Sequence, residues 1–381
     1  MYKSQHGCNR LIDQPWPAAD LEAVHACPAC GSLLKTKAFA EVKDWAFQAA
    51  PGSWDFWRCG NCQSLYLDPR PTAKSIGRAY QHYYTHANLV TPAVEAAQNA
   101  FAASKAFPPA TFTNRLRQEC FYHWLGMESN TRLHWPSRWA RLALGALKPF
   151  VARQFPLDQL ASQPRGRLLD VGCGNGALMA AAQAMGFRVA GIEIDALAVQ
   201  AARIRNLDVR QGSFENLKVM QEFAGETELF TGFDYVICSH VLEHVHTPHA
   251  LLAWLIQAVK PGGQIFLVWP NPRSLTLRIF GRYWRGLEAP RHLCLMSFEA
   301  AVAALAMQNI GHCERLNQGI QTVGESLRLR RVGKRRSLWS DFFLDKLARS
   351  LSPVLGRWFH QDFVALRFKK PLPDKQNSHV N

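Results

Sequence analysis

The stretch RLLDVGCGNG at Arg167–Gly176 constrains this chain more than any other. A short apolar run that closes on an acid and then places glycines at every second position reads as a buried strand feeding a tight turn. ALMAAAQAMG continues as a helix stopped by Gly186, and FRVAGIEID as the next strand. ALAVQAARIRN then reads as a helix, VRQGSF as a strand and FDYVICS as a very apolar strand. TPHALLAWLIQAVKPGG is a helix entered at Thr247 and stopped by Pro261-Gly262-Gly263; QIFLVWPN is a strand, SFEAAVAALAMQNIG a helix and FVALRF the last strand. This alternation predicts an α/β core, a doubly wound and mostly parallel sheet over residues 161–320, with the final strand returning from 321–381.

In such a sheet a ligand sits at the carboxyl ends of the strands, so the residues that close each strand are the ones to inspect. They are Asp170, Gly172, Gly174 and Gly176, then Glu193, then Ser213 and Phe214, and finally Ser239 through His244. The G-x-G-x-G turn is one residue shorter than the dinucleotide fingerprint. A carboxylate at Glu193, closing the second strand, can accept both hydroxyls of a ribose.

At these residues the chain resembles the class I S-adenosylmethionine-dependent methyltransferases: LDVGCGNG is similar to their first motif, GIEID to the second-strand acid, QGSFENL to the third motif and VKPGGQIFLVWPN to the helix and strand that follow. The resemblance implies a seven-stranded Rossmann-like sheet with S-adenosylmethionine as cofactor. Gly172, Gly174 and Gly176 would lie against its methionine part, Glu193 against its ribose, and Asp170 would hold the turn. An Asp is usual where Ser213 stands, so adenine contacts at Ser213 and Phe214 are the least determined part of this set.

HVLEH, His240–His244, spells the H-x-x-E-H of some zinc hydrolases. Here it directly follows a strand and precedes the helix entered at Thr247, so the five residues fall in a loop where that spacing does not align the two rings. VLEHV is also a familiar fourth-strand loop in the methyltransferase family. Glu243 and His244 are therefore either active-site residues or a cap for the following helix. The candidate base is His292, in the insertion PNPRSLTLRIFGRYWRGLEAPRHLCLMSF, where similar sugar methyltransferases bearing a zinc module place an active-site His. The same insertion holds Arg273, Arg278, Arg282, Arg285 and Arg291 against Glu288, a composition that suits phosphate or carboxylate recognition.

Four of the ten cysteines form C-x-x-C pairs, Cys27/Cys30 and Cys59/Cys62, the spacing of a tetrahedral structural Zn²⁺ site; Gly31 and Gly60 are expected to supply its left-handed turns. Residues 1–71 thus read as a zinc-ribbon-like module and 72–160 as a helical connector or cap, including Tyr80, Tyr83 and Tyr84. With this module the chain is similar to bacterial methyltransferases of saccharide pathways, which implies a small, anionic or carrier-linked saccharide acceptor. Methylation of RNA and a non-catalytic S-adenosylmethionine-binding module are the competing functions. Against the former, CSHVLEH lacks the Asn/Asp-Pro-Pro-aromatic loop of many nucleic-acid amine methylases.

The net charge of +15 is uneven: residues 321–381 hold 13 Lys and Arg against 5 Asp and Glu, whereas residues 161–320 hold 14 against 13. The excess is a surface feature that suits nucleic acid, anionic lipid or a phosphorylated acceptor. Apolar positions Leu338, Trp339, Phe342, Phe343, Leu347, Leu351, Leu355 and Phe359 beside that charge give either a face packed on the core or peripheral membrane contact. Without a signal pattern or an apolar run of about 18 residues, the expectation is a cytoplasmic protein with no transmembrane segment, able to sit at the inner membrane surface.

Overall fold

The apolar runs of the second half of the chain pair into one sheet. In a computed structural model, residues 11–81, 156–214, 232–318, 321–331 and 361–372 are described. Tyr83, Tyr84 and the apolar positions from Leu338 to Phe359 lie outside them. The sheet comprises β6 (Arg167–Val171), β7 (Arg188–Glu193), β8 (Val209–Gln211), β9 (Phe233–Ser239), β10 (Val259–Pro270), β12 (Cys313–Leu316) and β13 (Phe363–Lys369), in the order β12-β13-β10-β9-β6-β7-β8. β8, β7, β6, β9 and β10 run parallel, and β13 is antiparallel to both of its neighbours. From β6 the chain moves outward to β7 and β8, then returns to β9 on the other side. That reversal opens a crevice at the carboxyl ends of β6 and β9.

Burial accounts for the strand composition. Leu168, Leu169, Val236, Ile237, Ile265 and Phe266 are all fully buried, because helices cover both faces of a parallel sheet. Helix Pro248–Ala258 stops short of the Pro261 expected as its terminator. Val259 is already buried and paired with Phe233, and β10 crosses an irregularity before regaining register at Gln264.

A second sheet, in the order β11-β4-β3-β2, joins the N-terminal residues to the insertion after β10. It contains β2 (Lys35–Val42), β3 (Trp54–Cys59), β4 (Leu65–Leu67) and β11 (Cys294–Leu295). Its antiparallel ladder pairs Cys294 with Tyr66 and Leu295 with Leu65, so the insertion adds a strand to the sheet built from the N-terminal residues. Trp54, Phe56 and Leu67 share one buried cluster with Leu277, Trp284 and Leu293, while Cys27, Cys59 and Tyr66 pack with Leu251 and Trp254 of the main core. Each Å² of apolar surface shared in these contacts contributes about 25 cal/mol to holding the two sheets together. No helix among the described residues is long and apolar enough to cross a membrane.

Candidate active site and cysteine cluster

The turn after β6 is shaped by backbone. Gly172, Gly174 and Gly176 have φ of +74°, +53° and +74°, a region that glycine enters without steric cost. A Cβ on Gly172 would lie 2.3 Å from Val241 Cγ2, and one on Gly176 would lie 2.4 Å from Leu207 Cδ1. A Cβ on Gly174 would meet nothing within 4 Å. The outer two glycines therefore allow close packing, while the middle one borders open space. Glu193 ties this turn to β7: its Oε2 accepts from Gly174 N at 2.8 Å and its Oε1 from Asp195 N at 2.9 Å. Each oxygen keeps a further lone pair, so the carboxylate can still receive two hydroxyls. Asp170 is buried beneath the turn, and burial together with the nearby Glu193 charge pushes its carboxyl up to about 7.

Ser213 and Phe214 follow β8 closely; Gly212 N donates to Glu193 O at 2.9 Å, which brings them alongside Glu193. Ile194, immediately after Glu193, is 70% exposed, an apolar side chain left uncovered at the same edge.

The turn at β6 packs on the loop after β9 through Gly172 and Val241. In that loop His240 adopts φ +58° and donates its N–H to Val268 O at 2.8 Å, and Leu242–His244 form one 3-10 turn. Glu243 is fully buried, its Oε1 3.2 Å from His240 Nδ1. Burial opposes its ionisation, but the His240 hydrogen bond, reinforced by His244 and His292, holds the carboxyl below its ordinary value. It does not cap the following helix. Thr247 occupies the entry position of that helix without a side-chain capping bond.

His292 comes to the same place from the insertion. Leu293 N donates to Glu243 O at 2.7 Å, stitching the two segments together. The His244 and His292 rings meet edge to face with centroids 4.7 Å apart. His292 Nδ1 is 2.8 Å from Gly286 O, and its Nε2 is 3.9 Å from Glu243 Oε1 and 3.8 Å from Glu288 Oε2. Burial lowers its pKa to about 4 against the opposing pull of Glu288, so the ring is neutral at physiological pH. His244 Nδ1 lies 3.1 Å from Arg291 O and 2.9 Å from Tyr80 OH. All three residues expected to carry chemistry are thus together, joined by Tyr80.

Four of the five arginines expected to suit an anion are paired with carboxylates of the protein. Arg291 is fully buried, its guanidinium paired with Asp44 at 2.7 and 3.0 Å and with Glu288 at 3.0 Å. Arg285 pairs with Glu288 and Glu325, and Arg273 with Glu299. Arg282 lies 3.8 Å from Glu41, and Arg278 is exposed. Apart from Glu288, these carboxylates lie outside the insertion, so its composition did not reveal them.

The four paired cysteines converge. Their sulfurs lie within 4.8 Å of one another, with Cys27–Cys62 at 3.7 Å and Cys30–Cys59 at 3.5 Å. Four thiolates at about 2.3 Å from a tetrahedral Zn²⁺ would be roughly 3.8 Å apart, so the set fits that ion. Gly31 has φ +75° as expected, but in the second turn the left-handed residue is Gln63 at +63°. Gly60 instead permits close approach, since a Cβ there would lie 3.1 Å from Leu34 Cβ. Hydrogen bonding from Cys27, and secondarily Ser64, brings Cys62 down to about 4, while the same contact drives Cys27 up.

The order of the strands and the glycine turn at the β6 end define the class of this domain. A family profile described as "Methyltransferase domain" matches residues 139–309. "Ubiquinone biosynthesis O-methyltransferase" of Dechloromonas aromatica is 34% identical over 133 residues, covering 33% of this chain and 54% of that relative. Its namesake in Leptothrix cholodnii is 35% identical over 117 residues, covering 30% and 49%. The chain spans about half the length of these curated relatives. A solved S-adenosylmethionine-dependent methyltransferase from Archaeoglobus fulgidus is 17% identical, covering 60% of this chain and 99% of that one, with a TM-score of 0.39. Residues 139–309 thus match a methyltransferase domain, and β6 to β10 within them belong to the seven-stranded, mostly parallel sheet.

Proposed function

We propose that the protein transfers a methyl group from S-adenosylmethionine to an oxygen of a small organic acceptor, held between the glycine turn and the Glu243–His244–His292 cluster. The observation that carries this reading is the packing of Gly172 on Val241, which makes the turn and the cluster two walls of one crevice. The printed names of the curated relatives, O-methyltransferases, support an oxygen acceptor. They lend nothing to the saccharide expected from sequence, and the engaged arginines weaken the case for an anionic one.

Bound S-adenosylmethionine would supply a sulfonium methyl, an electrophile that needs no further activation. Gly174, bordering open space, would admit its methionine part, Glu193 would take the ribose hydroxyls, and Ile194, Ser213 and Phe214 would flank the adenine. His292, with Nδ1 held by Gly286 O, presents Nε2 to an acceptor proton, and Glu243 and Glu288 are placed to stabilise the imidazolium that results. Tyr80 and Arg291 O fix the orientation of His244. Alignment in such a crevice supplies the larger part of the rate, and proton removal a factor of about 10²–10⁴. The four N-terminal cysteines are proposed to hold a structural Zn²⁺, with no open position for chemistry.

Methyl-labelled S-adenosylmethionine incubated with the protein and with separate lipid-soluble, saccharide and RNA fractions tests this reading. Label in a small molecule, retained on an oxygen, is expected. Label confined to RNA, or to no fraction while cofactor binding is intact, would overturn it.

A further inference from the structure

Glu243, His244 and His292 each offer a ligand atom, and these atoms all lie within 4.8 Å of one another. We infer that they form a second divalent-cation site, distinct from the cysteine cluster. Both imidazoles have Nδ1 against a backbone carbonyl, Gly286 O for His292 and Arg291 O for His244. A carbonyl can only accept, so Nδ1 of His292 carries the hydrogen and its lone pair lies on Nε2; for His244 the same tautomer follows if the Tyr80 hydroxyl, 2.9 Å from Nδ1, accepts beside Arg291 O. Carbonyl-anchored imidazoles are the usual outer-shell arrangement of metal-bound histidines. The third ligand supplies an independent sign. Glu243 is fully buried, yet its Oε2 has no hydrogen-bond partner. A buried carboxylate oxygen that lacks a donor, on a residue grouped with two imidazoles, is satisfied by a cation.

The H-x-x-E-H spelling contributes only its last two residues. His240 Nδ1 is directed to Glu243 Oε1, and its side chain is 46% exposed. The remaining ligand arrives from the insertion at His292. The spacing is wider than the roughly 3.3 Å between ligands of a closed tetrahedral site, a gap that side-chain shifts of about an ångström would close. Two nitrogens and one oxygen suit a first-row divalent ion such as Zn²⁺, Fe²⁺ or Mn²⁺ and leave coordination positions open. An acceptor oxygen in such a position is acidified by the cation. His292 Nε2 would then serve as a ligand rather than as the base. This role rests on the methyl-transfer reading, but the presence of the ion does not.

The test uses the full chain with its cysteines loaded with zinc. Mn²⁺ avoids thiolates, so titration followed by electron paramagnetic resonance reports only nitrogen and oxygen ligands. One Mn²⁺ per chain is expected, and metal analysis after Zn²⁺ dialysis should find one equivalent beyond the cysteine site. His292→Asn and Glu243→Gln should each weaken Mn²⁺ at least about tenfold, whereas His240→Asn should bind it much as the wild type does. Unchanged S-adenosylmethionine binding in His292→Asn would show that the variant is folded. Neither bound Mn²⁺ nor additional Zn²⁺, or binding that His292→Asn and Glu243→Gln leave intact, would overturn the site. Bound Mn²⁺ in a protein that fails to bind S-adenosylmethionine would instead fault the methyl-transfer reading.

Discussion

At the end of β6 the crevice is built from backbone, with three left-handed glycines in five residues and one carboxylate to hold them. Across from it, after β9, the other wall is built from side chains gathered from Asp44, Tyr80, Glu243, His244, Glu288, Arg291 and His292. The first wall depends on local conformation and tolerates little change of shape. The second depends on long-range pairing and is sensitive to the fold of the N-terminal residues. The difference explains why a cysteine-bearing module adjoins the core: its sheet takes in β11, just after His292, and it supplies Asp44, which holds Arg291.

Removing the proposed zinc should separate the walls most. Cys59→Ser is expected to abolish metal binding at the cysteine cluster, lower the unfolding temperature and expose the N-terminal sheet to protease. Full metal content and unchanged stability in this variant would detach the module from the acceptor wall.

Asp44→Asn attacks the same wall from its buried pair. Asp44 receives Arg291 and three backbone N–H groups, from Phe47, Ala49 and Ala50. Losing one partner of a buried pair costs about 3–5 kcal/mol, which a shift in the urea midpoint would measure. A change below about 1 kcal/mol would show that the pair is not what holds the insertion down.

On the backbone wall, two glycine variants should differ. Gly172→Ala and Gly174→Ala both meet left-handed strain of about 1–2 kcal/mol. Only the first also drives a Cβ into Val241. Denaturation should rank Gly172→Ala as less stable, while Gly174→Ala should mainly weaken S-adenosylmethionine binding by intruding on the open space. Equal effects on both measures would remove the distinction.

The smallest effect is a proton. Asp170 titrates at about 7 in the folded protein against an ordinary 3.8. Its protonated form therefore favours the fold fully below about pH 4, and that contribution is lost as pH rises to about 7 and is flat above. A positively charged ligand over the turn favours the ionised form, so binding near pH 6.5 should release protons. Calorimetric enthalpies that do not vary between buffers of different ionisation heat would contradict this.

The backbone wall was legible in the sequence because a glycine turn and a strand-closing acid are contiguous, and their conformations follow from residue type. The doubly wound, mostly parallel sheet was likewise implied by the alternation of elements, whereas the strand order was not. For the acceptor wall, His292, His244 and Glu243 were identified singly, but their meeting depends on the 3-10 turn at Leu242–His244 and on Leu293 N reaching Glu243 O. Asp44 lies in no motif, and its importance appears only once Arg291 arrives from 247 residues away. Four of the five arginines were misread for the same reason: apart from Glu288, their carboxylates, Asp44, Glu41, Glu299 and Glu325, lie outside the insertion. Ile194 carried no signal beyond its place after Glu193.

Calorimetric titration of the full chain with S-adenosylmethionine, beside Glu193→Ala, tests most directly whether the backbone wall is a cofactor site. One site per chain is expected, weakened by about 1.5–3 kcal/mol in Glu193→Ala as charge-assisted contacts to the ribose and to Gly174 N are lost. Absence of binding to the wild type, or equal affinity in Glu193→Ala, would contradict the assignment.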